Sequence, residues 1–186
     1  MRQGFPWRPV LLALAVLVGS AGGVLAHALP GSVLLLRQQE DGLRLTIRFP
    51  LEDLVIAAPE LAVLEEVTPG DPLPQEMAER FGGYLLEHME LTGADGVLPL
   101  TLAGAMVQPA YHDHLGHFLL VVSEWNVAGG AGGNAHLVLN YDAVMHEVRS
   151  HRATVQWIAR DGETRPVAEF GYHGADGGVR LNLSGF

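Results

Sequence analysis

The chain has 186 residues, a formal net charge of −10 and no cysteine. A chain of this length forms one ordinary domain with a sizeable core, and the lack of cysteine excludes disulfides, thiolate metal sites and cysteine nucleophiles. The few basic residues are all arginine and form no sequence cluster, which argues against binding to nucleic acid or to an anionic lipid surface.

The start of the chain has the pattern of a cleavable secretory signal peptide. Two arginines precede an unbroken apolar run at 10–18, and small residues follow it. This run is much shorter than the roughly 20 residues that a membrane-spanning helix needs. We therefore predict a signal peptide over residues 1–26, with cleavage after Ala26 or Ala28, and a single extracytoplasmic or periplasmic domain over residues 27–186.

The rest of the chain predicts short strands separated by turns. Apolar and polar residues alternate at 43–49 and 136–141, as in half-buried strands. Apolar residues at helical spacing predict a longer helix at 75–91, and prolines bracket a short helix at 51–58. Further strands are predicted at 32–37, 97–107, 117–125, 152–158, 167–170 and 179–183. The expected fold is mainly β, a β-sandwich (Ig-like) with one longer and one short helix.

Three of the nine histidines lie close together in the sequence, between two predicted strands. In an extended chain His112 and His114 point the same way, and Gly116 permits a turn that brings His117 round to them. Imidazoles with a carboxylate suit divalent transition metals. We therefore predict a site for Ni²⁺, Co²⁺, Cu²⁺ or Zn²⁺ with these three histidines as ligands and Asp113 as a fourth ligand or supporting group. The alternative is a solvated loop that is merely rich in histidine.

The other histidines lead to different expectations. If cleavage follows Ala26, His27 becomes an N-terminal chelating residue, as in an exported copper oxidase or monooxygenase. His146 and His151 are too far apart for an H-E-x-x-H metalloprotease helix, so we expect a turn whose imidazoles bond to backbone carbonyls. His88 is expected to be a hydrogen-bonded core histidine. No catalytic constellation is recognised, and we predict that the domain is not an enzyme.

Two segments resemble the extracytoplasmic domain of HupE/UreJ-like bacterial membrane proteins. They are 27–36, HALPGSVLLL, and 139–153, LNYDAVMHEVRSHRA. The positions of the second segment that match the family's motif are Tyr141, Asp142, His146 and His151. Across residues 27–183, the resemblance implies a periplasm-facing domain that precedes a bundle of membrane helices, and relatives of that bundle are associated with nickel or cobalt uptake.

The sequence stops at Phe186, before the membrane half of that family, so the resemblance does not extend to transport activity. We expect either a fragment of a longer membrane protein or a separate domain with a membrane-embedded transport partner. The leading hypothesis is an exported, non-catalytic domain that binds or delivers a divalent transition metal. The alternative is a structural or interaction domain that docks on a membrane partner without metal.

Overall fold

The computed structural model describes residues 30–129, 136–175 and 177–183. Most of these residues form strands in two sheets, in a sandwich-like arrangement, and this confirms the predicted mainly β fold class. The predicted signal peptide and His27 lie outside the described residues.

Within the described ranges the chain forms ten strands, three α-helices and one 3-10 helix. In chain order they are β1 Ser32–Gln39, β2 Gly42–Pro50, α1 Leu51–Ala57, the 3-10 helix Pro59–Glu66, α2 Gln75–Glu87, β3 Met89–Gly93, β4 Gly96–Val97, β5 Leu100–His112, β6 Gly116–Ala128, β7 His136–Tyr141, β8 Arg152–Ile158, β9 Thr164–Gly171, α3 Tyr172–Ala175 and β10 Val179–Asn182.

The larger sheet has six strands in the order β5-β6-β2-β1-β8-β9, and the smaller has four in the order β10-β7-β3-β4. Neighbouring strands are antiparallel except for β1 and β8, which are parallel. The parallel pair brings the first described strand beside the segment that follows residue 150. Residues that are distant in the sequence therefore meet at this point of the sheet.

Alternation along the strands determines which face of each sheet is buried. In β2 the apolar side chains point into the core while the polar ones face outward, and Leu45 and Ile47 are almost completely buried. Strand β7 alternates as predicted, with Leu137 and Leu139 buried and His136 exposed.

The helices cover the core beside the sheets. Helix α2 buries its apolar face, and the ring of Phe81 lies 6.0 Å from that of Phe49 at the end of β2. The longer helix predicted at 75–91 is too long. The chain leaves the helix after Glu87, and the next residues pair with β7 as strand β3. Among the described helices, none is long and apolar enough to cross a membrane.

Candidate functional site

The predicted metal site lies at the tip of the hairpin formed by β5 and β6. His112 pairs with Gly116, and Tyr111 pairs with His117. Because neighbouring residues of a strand face opposite sides of the sheet, His117 lies on the face of Tyr111, with the two ring centroids 5.1 Å apart. His112 lies on the other face.

The tip therefore brings together two of the three predicted histidine ligands. The ring centroids of His112 and His114 are 5.8 Å apart, and the backbone N–H of His114 donates to Nδ1 of His112 at 3.3 Å. Asp113 is exposed in the connecting turn. Nowhere in the described ranges do three or more His, Asp or Glu side chains form a group arranged to hold a metal ion. Metal binding at the tip stays a prediction.

A second histidine pair lines a cavity of about 460 Å³ beside the smaller sheet. We name His88, Asp142 and His146 the histidine cleft; Glu87 and Glu90 also line its walls. The imidazole rings of His88 and His146 are nearly parallel, with an interplanar angle of 10° and centroids 4.1 Å apart. The two histidines come from the end of α2 and from the turn after β7.

Both imidazoles are oriented by the same residue. Nδ1 of His88 lies 2.9 Å from Oδ1 of Asp142, and Nδ1 of His146 lies 3.3 Å from the backbone oxygen of Asp142. A carboxylate and a carbonyl can only accept, so each Nδ1–H donates, and in the neutral form of each imidazole Nε2 carries a lone pair. Within the described part of the chain, neither Nε2 makes a hydrogen bond. His88 is thus hydrogen-bonded as expected, but it lines a cavity.

The turn after β7 is held in a strained conformation. Val144 has a φ of 68°, which is unfavourable for a β-branched residue. Its backbone N–H donates to the hydroxyl of Tyr84 at 2.8 Å. Burial raises the pKa of Tyr84 to about 12, and the ring of Tyr84 lies 4.8 Å from that of His88. Helix α2 therefore fixes both the turn and one of the two imidazoles.

A buried hydrogen-bond network lies between α1, β1, β7 and β8. Nδ1 of His151 is 2.8 Å from Oδ2 of Asp53, and Nε2 of His151 is 2.8 Å from Oγ of Ser32. The hydroxyl of Tyr141 lies 2.8 Å from the same Oγ. Ser32 is 1 % exposed and His151 is 3 % exposed. We name these four residues the buried network.

One backbone hydrogen bond determines which atoms of the buried network carry the protons. The N–H of Ser32 lies 3.0 Å from Nε2 of His151 and can only donate, so Nε2 accepts and Nδ1–H donates to Asp53. Burial raises the pKa of Tyr141, so at neutral pH its hydroxyl keeps its proton. All four side chains are thereby paired, as buried polar groups require.

The order Asp53, His151, Ser32 is the connectivity of a serine hydrolase triad. Here the Ser32 hydroxyl is enclosed and also bonds to Tyr141. The arrangement joins four elements of the fold and does not present a nucleophile to a cavity. The expectation for His146 is confirmed, since it bonds to a backbone carbonyl. For His151 it was wrong, because this imidazole bonds to side chains and to a backbone N–H.

A glycine allows the buried network to form. A Cβ atom at Gly31 would overlap the carbonyl oxygen of Arg152, because β1 enters the sheet directly beside β8, with Ser32 opposite Ala153. Sequence reasoning missed this network, although its signal was present. The two segments at 27–36 and 139–153 together contain three of its four residues.

No family model matches the sequence, and no curated protein matches it. The resemblance to HupE/UreJ-like proteins therefore stays a prediction.

Proposed function

We propose that the protein is a non-catalytic domain that binds a divalent transition metal ion in the histidine cleft. The observation that supports this most is the parallel pair His88 and His146, with both Nδ1 protons engaged by Asp142 and both Nε2 lone pairs available. Imidazole nitrogen is a preferred ligand of Ni²⁺, Co²⁺, Cu²⁺ and Zn²⁺.

In this proposal Asp142 has the role of the carboxylate that accepts a hydrogen bond from a metal-binding histidine without itself binding the metal. A metal-binding histidine usually donates its other ring N–H to a carboxylate or carbonyl, which fixes the tautomer and the ring orientation. Asp142 supplies one acceptor of each kind, one to each imidazole. Two fixed imidazoles leave further coordination positions open, which suits a domain that receives and delivers an ion.

The proposal keeps the predicted setting of the domain. The signal-like segment at 1–26 supports work outside the cytoplasm, and the two HupE/UreJ-like segments support a membrane-embedded transport partner. In that setting the histidine cleft holds the ion and the partner takes it up or releases it.

Calorimetric titration with Ni²⁺, Cu²⁺ and Zn²⁺, at about pH 7.5 with and without a weak competing chelator, tests the proposal. We expect saturable, near-stoichiometric binding by the natural protein. The double variant His88→Gln, His146→Gln should lose it, because both Nε2 ligands are gone. The triple variant His112→Gln, His114→Gln, His117→Gln should bind as the natural protein does.

The same titrations distinguish the alternatives. Loss of binding in the triple variant, with the double variant unaffected, would move the site to the hairpin tip that the sequence predicted. Weak, non-saturating heat from the natural protein would contradict metal binding altogether and favour the metal-free interaction domain. Equal urea unfolding midpoints in the two variants show that changes in binding are not changes in folding.

A further inference from the structure

A groove of about 730 Å³ crosses the outer face of the six-stranded sheet. Outward-facing residues of β1, β2 and β6 line it, and Pro72 forms a bridge with Met106 of β5 at one side. The groove is partly open to solvent. It is separate from the histidine cleft, which lies beside the smaller sheet.

Positive charge is concentrated in this groove although the chain as a whole has a net charge of −10. Arg37, Arg44 and Arg48 line it. Of its described lining residues only Glu124 is acidic, and its carboxylate lies 3.2 Å from Nη1 of Arg44. Arg37 and Arg48 are exposed, and neither forms an ion pair within the described ranges.

The arrangement of the arginines leaves their charge uncompensated. Arg37 lies directly opposite Arg44 in the β1–β2 pair, and like charges in that position destabilise a sheet. A single carboxylate, that of Glu124, pairs with one of them. An anionic group placed at Arg37 and Arg44 therefore gains a guanidinium partner and reduces the repulsion between these two side chains, and a second anionic group can pair with Arg48.

The spacing of the arginines indicates an elongated ligand. Arg44 and Arg48 are four residues apart on β2, which corresponds to about 13 Å along a strand. An extended peptide repeats its side chains on one face at every second residue, so acidic residues at i and i+4 have the same spacing. Leu35 pairs with Thr46, between the two arginines, and Val122 and Ile158 lie beside Arg48 and Arg37. These side chains line the groove and offer apolar contacts to a bound segment.

We propose that this groove binds an extended acidic segment of a partner protein. Guanidinium groups bind carboxylates in a bidentate manner, and arginine is enriched at protein interfaces. A small organic anion is normally enclosed by its site, whereas this groove is partly open to solvent. The inference does not depend on metal binding in the histidine cleft.

Fluorescence anisotropy with a labelled peptide of about ten residues, with Glu at i and i+4 among Ser, Thr and Val, tests the proposal. The matched peptide carries Gln at the same positions. The protein variant is Arg37→Gln, Arg48→Gln, and its control is Arg80→Gln, Arg180→Gln, which changes the net charge equally on α2 and β10. We expect saturable binding of the Glu peptide that weakens about tenfold or more with the groove variant or the Gln peptide, and stays nearly unchanged in the control.

Three results would overturn the proposal. An equal loss of affinity in the groove variant and in its control would show a diffuse attraction between the peptide and the surface charge. Binding of the Glu peptide that does not saturate would show that no such site exists. Competition by free glutarate at concentrations as low as those of the peptide would show a site for small organic anions. Unfolding midpoints in urea check that the groove variant is folded, which is expected because both replaced side chains are exposed.

Discussion

Two groups of three histidines show how differently the same residue is used in this fold. At the hairpin tip, His112, His114 and His117 are close in sequence, but the strand alternation divides them between the two faces of the sheet. His88 and His146 lie side by side in the histidine cleft, and His151 lies in the buried network.

In the second group, a hydrogen bond to another residue orients each ring. His88 contacts Asp142 from 54 residues away, and His151 contacts Asp53 from 98 residues away. An imidazole that is oriented by a second group is a better ligand or structural element than one on a solvated turn. Closeness in the sequence therefore does not predict which histidines come together in this fold. Three measurements test the difference between the two groups of histidines.

The largest effect is expected from His151→Ala. Removing this imidazole leaves the nearly buried carboxylate of Asp53 without its partner, while the hydroxyl of Ser32 keeps only its bond to Tyr141. Leaving a buried acceptor without its donor costs about 1–3 kcal/mol of unfolding free energy, and more when the acceptor is charged, which urea denaturation measures. At the tip, His114→Ala should change that free energy by about 0.5 kcal/mol or less.

A second substitution sharpens the test of His151. The double variant Asp53→Asn, His151→Ala should recover part of the lost stability, because it removes the uncompensated charge as well. If His151→Ala costs no more than His114→Ala, the buried network does not stabilise the fold and the contrast between the two groups is wrong.

A smaller effect is expected from Asp142→Asn in the histidine cleft. This change keeps the shape of the side chain but weakens the acceptor that fixes His88. Loss of such an outer partner typically lowers metal affinity about 10–100-fold, which competition titration with a chelator measures. The matched control at the tip is Asp113→Asn, with no expected change. Equal affinities in the two variants would remove Asp142 from the proposed site.

Much of the fold could be predicted from the sequence because its signals are local. Strands β7 and β8 were predicted at 136–141 and 152–158, which are their observed bounds. The end of α2 was not predictable in this way, since Met89 and Leu91 continue an apolar spacing that also fits a helix. They form β3 because they pair with Tyr141 and Leu139, and that pairing is tertiary.

The sites could be predicted only in part, for the same reason. The histidines of the hairpin tip could be predicted as a group because they are close in the sequence. The strand register that separates them depends on the pairing of β5 with β6, which the sequence alone does not show. The histidine cleft and the buried network need the pairing of β1 with β8 and the contact of α2 with the turn after β7. The arginines of the groove lie within one hairpin, but only the β1–β2 register shows that Arg37 is opposite Arg44.

The smallest effect on stability is expected at alkaline pH. It compares Tyr84, beside the histidine cleft, with Tyr111 at the hairpin tip. Burial raises the pKa of Tyr84 to about 12, and it also raises the pKa of Tyr141. In the unfolded chain tyrosine ionises near pH 10. Between about pH 10 and pH 12 the unfolded state therefore binds fewer protons than the folded state, and stability falls as pH rises. Below about pH 10 both states are protonated, and this contribution is constant.

Unfolding in urea at about pH 8 and about pH 11 measures this loss. Tyr84→Phe should reduce this loss of stability, because the variant lacks one of the two buried hydroxyls that keep their proton in the folded state but lose it in the unfolded state. Tyr111→Phe is the matched control, since Tyr111 is 62 % exposed at the hairpin tip, and it should retain the full loss. An equal loss in both variants would mean that the Tyr84 hydroxyl does not keep its proton in the folded protein. The bond that the backbone N–H of Val144 donates to this oxygen would then strengthen over the same pH range, because its acceptor would be a phenolate.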